Sequence, residues 1–281
     1  MPLTAYYRST PAGNGKPRPP WFSKRLALRS FLRAVEQAGP GVTVVHVADG
    51  GVPDELADLV AVSGEVVPVR GGSAPRSFRR LLDVALARER GEGLAWFAED
   101  DYLYDPCALA AVLAAADAVP QADYFGLYAP EDGDWYARSP SQPGRRGAPA
   151  SYDVQGRRWR RAWDSTSTFG LRAQALREDA ALLRLCSRCG GPWDNTCVAV
   201  VQGVAPYPLR HLHADLFLRL SRASAERVVT RPLLRAAADL AATRRRRTWI
   251  GPEVDLATHC ELGHLSSGTD WAALANTMRA S

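Results

Sequence analysis

The sequence predicts an α/β fold: a single domain with a mostly parallel central sheet flanked by helices. Three observations carry this expectation. Short β-branched runs alternate with stretches of helical period through the first 128 residues. Repeated β-α-β order implies parallel strands joined by helical crossovers on both faces. The 281 residues, 46% hydrophobic and 23% charged, suit a globular chain with neither an internal repeat nor a linker long enough to separate a second domain.

Taken in order, Ala5–Ser9 is a β-prone run carrying Arg8, and Pro11–Pro20 is a Pro/Gly-rich loop. Ser23 is placed to cap a helix that reaches Ala38, because Leu28, Phe31, Leu32 and Val35 repeat at helical spacing. Val42–Ala48 reads as a buried strand that ends in the turn Asp49–Gly50–Gly51. A short helix over Pro53–Ala61 leads to strand Glu65–Arg70, which Gly71–Gly72 breaks. Pro75–Arg90 is helical, with Phe78, Leu81, Leu82 and Ala85 on one face. Strand Leu94–Ala98 runs straight into Glu99–Asp100–Asp101, followed by helix Cys107–Ala118 and strand Tyr124–Tyr128.

The second half is less regular. Pro130–Arg161 is a long loop or a pair of short hairpins. Ser165–Leu171 is a strand and Arg172–Cys186 a helix, and Trp193–Thr196 opens another. Ser224–Arg247 is helical, with a break near Pro232 left open, and Thr248–Ser281 closes the chain.

Net charge is +5, from 35 basic and 30 acidic residues, which points to anionic ligands such as phosphates rather than to a nucleic-acid track. No apolar window is long enough to span a membrane, and Met1–Lys16 lacks the apolar core of a signal peptide, so a soluble, cytoplasmic protein is expected. The five cysteines read as reduced thiols. Cys186, Cys189 and Cys197 would need a ligand such as His211 or His213 to make a zinc site, and zinc is disfavoured.

In an open parallel sheet, ligands bind beyond the carboxyl ends of the strands. Arg8, Asp49, Gly71–Gly72 and Glu99–Asp101 all fall there. Three consecutive acids repel one another, and a hard divalent cation such as Mg²⁺ or Mn²⁺ offsets that repulsion. A solvated turn or the start of a helix is the other reading. Asp49 is either a turn former or an acceptor for a base N–H or ribose hydroxyl, and Arg8 is a surface cation or a partner for phosphate. Gly72 and its neighbours could turn backbone N–H groups toward phosphate. The chain lacks GxxxxGK[ST], GxGxxG and GxSxG, which argues against a phosphate-loop NTPase, a dinucleotide-binding Rossmann enzyme and an α/β-hydrolase.

One ordered set is more specific. A strand, a helix, a strand ending in Asp49, a further strand, and a helix with Arg76 and Ser77 precede Trp96-Phe-Ala-Glu-Asp-Asp-Tyr-Leu103. This order resembles the GT-A fold glycosyltransferases, especially the inverting family 2 type of bacteria. The match continues through Ser165–Phe169, Trp193–Asp194, Thr258–Glu261 and Asp270–Trp271, nearly the whole chain. It departs from the family at Glu99, where an Asp is usual, and at Trp-Asp-Asn, which lacks the usual preceding acid; residues 198–251 have no clear counterpart.

The resemblance implies a GT-A-like, Rossmann-like domain over 1–281, with residues 1–128 binding the nucleotide sugar and 129–281 holding the acceptor and the catalytic base. It implies that Asp101 and His259 hold Mn²⁺ or Mg²⁺, and that Asp194 is the base. Donor binding would fall to Arg8, Asp49, Gly72, Arg76, Glu99 and Asp100. Trp135, Tyr136, Tyr152, Trp159, Trp163 and Trp193 are acceptor candidates, because aromatic faces stack on sugars; covering the sheet is the alternative. A nucleoside diphosphate sugar, UDP by first choice, would donate to a small-molecule or glycan hydroxyl, with no nucleic-acid partner; a homodimer is left open. Inverting transfer needs a carboxylate to take the acceptor's proton and a cation to stabilise the leaving diphosphate. A nucleotidyltransferase acting on sugar phosphates is the competing enzyme, although the GxGTR signature of that class is missing near the first strand. A non-catalytic nucleotide-sugar-binding module is the third reading. Arg244–Arg247 is a solvated helix end or a clamp over diphosphate.

Overall fold

The computed structural model describes residues 1–13, 15–128, 151–163, 166–190, 193–206, 222–244 and 246–280. Eleven strands and eight α-helices are defined among them. They are β1 (Leu3–Ser9), α1 (Lys24–Ala38), β2 (Val42–Asp49), α2 (Ala57–Ser63), β3 (Glu65–Val69), α3 (Ala74–Arg88), β4 (Leu94–Glu99), β5 (Tyr102–Tyr104), α4 (Ala108–Ala118) and β6 (Tyr124–Phe125). There follow β7 (Ser151–Val154), β8 (Arg157–Arg161), β9 (Phe169–Arg172), α5 (Ala173–Cys186), α6 (Trp193–Val201), α7 (Arg222–Arg244), β10 (Trp249–Pro252), β11 (Ala257–His259) and α8 (Trp271–Ala280). A single turn of 3₁₀-helix, Asp54–Leu56, precedes α2.

Nine strands form one sheet in the order β3-β2-β1-β4-β9-β6-β10-β8-β7. The fold is α/β as expected, and the sheet is mixed. β1, β2, β3 and β4 are mutually parallel. β9 runs antiparallel between β4 and β6, and β10 lies parallel to β6. Alternate side chains along each strand serve the two faces of the sheet. Leu3, Ala5, Tyr7, Trp96 and Ala98 meet Leu28 and Phe31 of α1 and Leu109 and Val112 of α4. Tyr6, Val45, Val47 and Phe97 meet Phe78, Leu81 and Leu82 of α3 and Leu176 and Leu183 of α5. Each face is thus a separate buried layer under its own helices, which is why these strands read as continuous apolar runs.

Local chemistry sets the ends of the elements. The Ser23 side chain accepts from Leu26 N at 3.1 Å and caps α1, and Gly39 closes it at φ 89°. Val154 pairs with Arg157 across a two-residue loop whose members, Gln155 and Gly156, both have positive φ (54° and 74°). That is the hairpin geometry favoured by right-handed strand twist. Residues 151–161 are therefore a hairpin at the sheet edge. One expectation is corrected, one left open is decided, and one unassigned stretch is filled in. Tyr124–Tyr128 is extended only at Tyr124–Phe125. Residues 222–244 form one helix through an exposed Pro232. The C-terminal stretch adds β10, β11 and α8. β5 and β11 pair in a separate antiparallel ribbon, and α8 packs Trp271, Ala275 and Met278 against Leu26, Leu103 and Cys260. No described helix is long and apolar enough to cross a membrane.

Candidate active site at the strand ends

The carboxyl ends of β1, β2, β3 and β4 open into a cleft of about 800 Å³, a size suited to a small ligand. Arg8, Asp49, Gly72, Glu99, Asp100 and Asp101 all line it. Arg76 does not: it is exposed on α3, and the buried Ser77 faces the cleft in its place. Asp49 is buried, and its Oδ1 accepts from Gly71 N at 2.7 Å. A side chain on residue 71 would meet Ser77 N at 2.5 Å and Asp49 Oδ2 at 2.8 Å, so the close approach of this turn to α3 requires glycine.

Each acid of the triplet has its own cation. Arg8 pairs with Glu99, its register partner across β1 and β4. Lys24 reaches Asp100 at 2.9 Å, and Arg18 reaches Asp101 at 2.9 Å. Lys16 pairs with Glu261 at 2.6 Å. The repulsion that calls for a divalent cation in the sequence is therefore offset in the fold by the chain's own N-terminal cations. Sequence reasoning misses Lys16, Arg18 and Lys24, together with Ser9. Lys16 and Arg18 lie in a Pro/Gly loop with no period to betray which way they face. Ser9 lines the cleft with its buried Oγ lacking a hydrogen-bond partner, and nothing in its sequence context signals this.

What still favours a metal at Asp101 is narrower. Asp101 is 9% exposed, and its Oδ1 is buried with no hydrogen-bond partner. Its Oδ2 faces His259 Nε2 at 3.0 Å. Burial raises the Asp101 pKa, but His259 and Arg18 outweigh it and hold the carboxyl well below the usual range. A hard oxygen donor without a partner, beside an imidazole nitrogen, fits Mn²⁺ or Mg²⁺. Among the described residues, no group of three His, Cys, Asp or Glu side chains is placed to hold a metal by itself. A cation at Asp101 and His259 would take its other ligands from the bound molecule and water. The β5–β11 ribbon makes this pair: His259 is in register with Tyr102, stacks on its ring at 5.1 Å, and is carried beside Asp101.

Asp194 is in the first turn of α6 and does not line the cleft. The charges of His259 and Lys16 act on it, and Tyr102 lies in the field of both Asp101 and Asp194. Burial pushes its carboxyl up to about 6, against the opposing pull of the Asn195 N–H bond and of the nearby His259 and Lys16 side chains. A carboxylate tuned toward neutrality suits proton transfer.

The aromatic candidates separate. Trp193 is buried and packs on Phe78 at 4.4 Å, so it belongs to the core. The Arg161 guanidinium lies over the Trp163 ring at 4.5 Å. Trp135 and Tyr136 lie outside the described residues, as do His211 and His213. Cys186, Cys189 and Cys197 are buried in the core and form no disulfide with one another. Arg247 is no clamp over the cleft. It is buried at the amino ends of β6 and β10, the opposite edge of the sheet, and pairs with Asp123 at 3.2 Å, Glu178 at 2.7 Å and Asp179 at 2.8 Å.

No family model matches the chain, and no curated protein does. Among solved structures, it is similar to CMP:2-keto-3-deoxy-manno-octonic acid synthetase complexed with CTP, at 15% identity over 65% of this chain and 78% of that one, TM-score 0.41. TarS of S. aureus is similar at 13% identity over 71% of this chain and 33% of that one, TM-score 0.42. A nucleotidyl transferase from Methanothermobacter thermautotroptrophicus is similar at 10% identity over 99% of both chains, TM-score 0.42. These overlaps are too loose to assign an activity, which has to be argued from the side chains.

Proposed function

We propose that this chain is a metal-dependent glycosyltransferase that moves a sugar from a nucleoside diphosphate, UDP by first choice, to a hydroxyl acceptor with inversion. One observation carries the reading: a carboxyl group raised to about 6, Asp194, within the electrostatic reach of a cation-lined cleft. A hydroxyl nucleophile must lose a proton as it attacks, and a carboxylate in this range can take it. In nucleotidyl transfer to a sugar phosphate the phosphate nucleophile is already ionised near neutral pH and needs no such base. Arg8, Lys16, Arg18 and Lys24 supply the positive edge for a polyphosphate, Asp49 faces base or ribose, and Asp100 and Glu99 order those cations. Asp101 and His259 would hold Mn²⁺ or Mg²⁺, which when bound neutralises charge on the departing diphosphate.

The row of cations would also accept a triphosphate, which favours nucleotidyl transfer as the second reading. Product analysis separates the alternatives. Incubation of UDP-sugars with the protein and Mn²⁺ should release free sugar and UDP slowly. Pyrophosphate release from nucleoside triphosphate would instead establish nucleotidyl transfer. Nucleotide binding without turnover would indicate a binding module. Asp101→Ala should abolish Mn²⁺-dependent UDP binding, and UDP binding that ignores EDTA would remove the metal from the reading.

A further inference from the structure

We infer that Arg18 is a displaceable counter-cation, which occupies the Asp101 carboxylate in the ligand-free chain and yields that place to a divalent cation. The inference rests on the reading of Asp101 and His259 as metal holders and goes beyond it to a residue of the N-terminal loop.

The two oxygens of Asp101 are unequal. Oδ2 carries both Arg18 Nη2, at 2.9 Å, and His259 Nε2, at 3.0 Å, while the buried Oδ1 has no hydrogen-bond partner. Arg18 also ties the two segments that supply the candidate ligands. Its Nη1 donates to Cys260 O at 2.6 Å, the residue after His259, and Cys260 N donates to Asp101 O at 2.8 Å. The guanidinium thus stands on the seam where β5 and β11 bring Asp101 and His259 together.

Its approach is fixed by the loop. Pro17 and Pro19 flank Arg18, and the Pro17 carbonyl accepts from Leu262 N at 2.9 Å. The fixed φ of proline limits where this backbone can point its side chains. The guanidinium lies over the Phe22 ring at 4.9 Å from the centroid.

An arginine cannot shed its charge by deprotonation. A divalent cation on Asp101 places like charge within a few ångströms of the guanidinium, in a partly buried site where screening is weak. Arg18 must then leave Oδ2, and a phosphate offers it the same forked geometry that the carboxylate did. Metal binding to the ligand-free chain is therefore opposed by Arg18, whereas diphosphate binding with metal present is helped by it.

The test titrates the full chain with Mn²⁺ alone, following free Mn²⁺ by electron paramagnetic resonance, and then with UDP at saturating Mn²⁺. Arg18→Gln should bind Mn²⁺ about fivefold tighter, the scale of a partly exposed ion pair removed, and UDP at least about fivefold more weakly. A structural role for Arg18 would weaken both together. Arg18→Lys, which keeps the charge and loses the two-pronged bridge, should shift Mn²⁺ affinity the same way by about twofold and remains informative if the Gln variant fails to fold. Mn²⁺ affinity unchanged or weakened in the folded variants overturns the inference and leaves the metal reading standing. Mn²⁺ binding that appears only with UDP present overturns the inference alone, and Mn²⁺ bound by neither wild type nor variants even with UDP overturns both.

Discussion

Asp194→Asn tests the proposed base through stability as well as rate. Burial raises the Asp194 carboxyl from 3.8 to about 6. At roughly 1.4 kcal/mol per pH unit, that gap corresponds to about 3 kcal/mol, which solvent screening of this partly exposed group trims to about 2 kcal/mol. A carboxyl raised in the folded state holds its proton there while the unfolded chain has already lost it. Wild-type stability therefore falls as pH rises from about 4 to about 6, and the loss is complete above that window. Asparagine keeps the shape, can still accept from Asn195 N through its Oδ1, and carries no charge to desolvate. At pH 8 the variant should melt higher than wild type by roughly 4–8 °C, and at pH 4 the two should nearly coincide. UDP-sugar hydrolysis at saturating donor should fall about 10²–10⁴-fold in the same variant. The wild-type rate should drop below pH 6 and level off above it. A variant that melts at or below wild type at pH 8 would show that the charge carries no burial penalty. Hydrolysis at the wild-type rate would leave Asp194 as a helix-start residue only. A gain in stability joined to a loss of rate is the signature of a group held in the wrong medium for the sake of chemistry.

The other expectations are briefer. Asp49→Ala removes the acceptor for Gly71 N–H and a carboxylate from the cleft, so UDP affinity at saturating Mn²⁺ should fall about 10- to 100-fold by calorimetry; an unchanged Kd returns Asp49 to a turn role. Arg247→Met takes the cation from buried Asp123 and half-buried Asp179 and should cost about 3 kcal/mol in urea unfolding while leaving UDP affinity alone. Weakened UDP binding in folded protein would contradict the placement of Arg247 on the far edge of the sheet. His46 is fully buried, and burial holds its pKa at about 4 rather than 6.5. Its neutral form stabilises the fold above pH 6.5, and about 3 kcal/mol should be lost as pH falls toward 4. His46→Gln should flatten that region of the urea-midpoint profile; an unchanged profile would place the acid sensitivity elsewhere.

What could be read from the sequence was local. Ser23 and the stripe from Leu28 to Val35 give α1, and the run into Glu99–Asp101 gives β4 with its acids at a strand end. β5 could not be read, because three residues after an acid triplet carry no period and their partner, Ala257–His259, lies more than 150 residues away. Yet that ribbon is what sets His259 against Asp101. Trp193 shows the converse limit: its sequence context does not tell which face of α6 meets Phe78. The four arginines ending at Arg247 look like a solvated run until a tertiary contact buries the last of them among three acids. The spacing of charges along a chain is silent about which of them the fold will take out of water.

The pairing of four N-terminal cations with Glu99, Asp100, Asp101 and Glu261 bears on how the cleft would fill. Without ligand, each of these eight charges is answered within the chain, so at these residues neither a cation nor an anion meets a strongly attractive site when it arrives alone. A diphosphate that draws Arg18 or Lys16 toward itself exposes carboxylate, and exposed carboxylate favours a divalent cation. The cation in turn repels the remaining guanidinium toward the phosphate. Each ligand thereby removes the counter-charge that opposes the other, and linkage requires the enhancement to be equal in both directions. On the proposed reading, metal and nucleotide would bind together for a reason visible in four ion pairs, with no change of fold required.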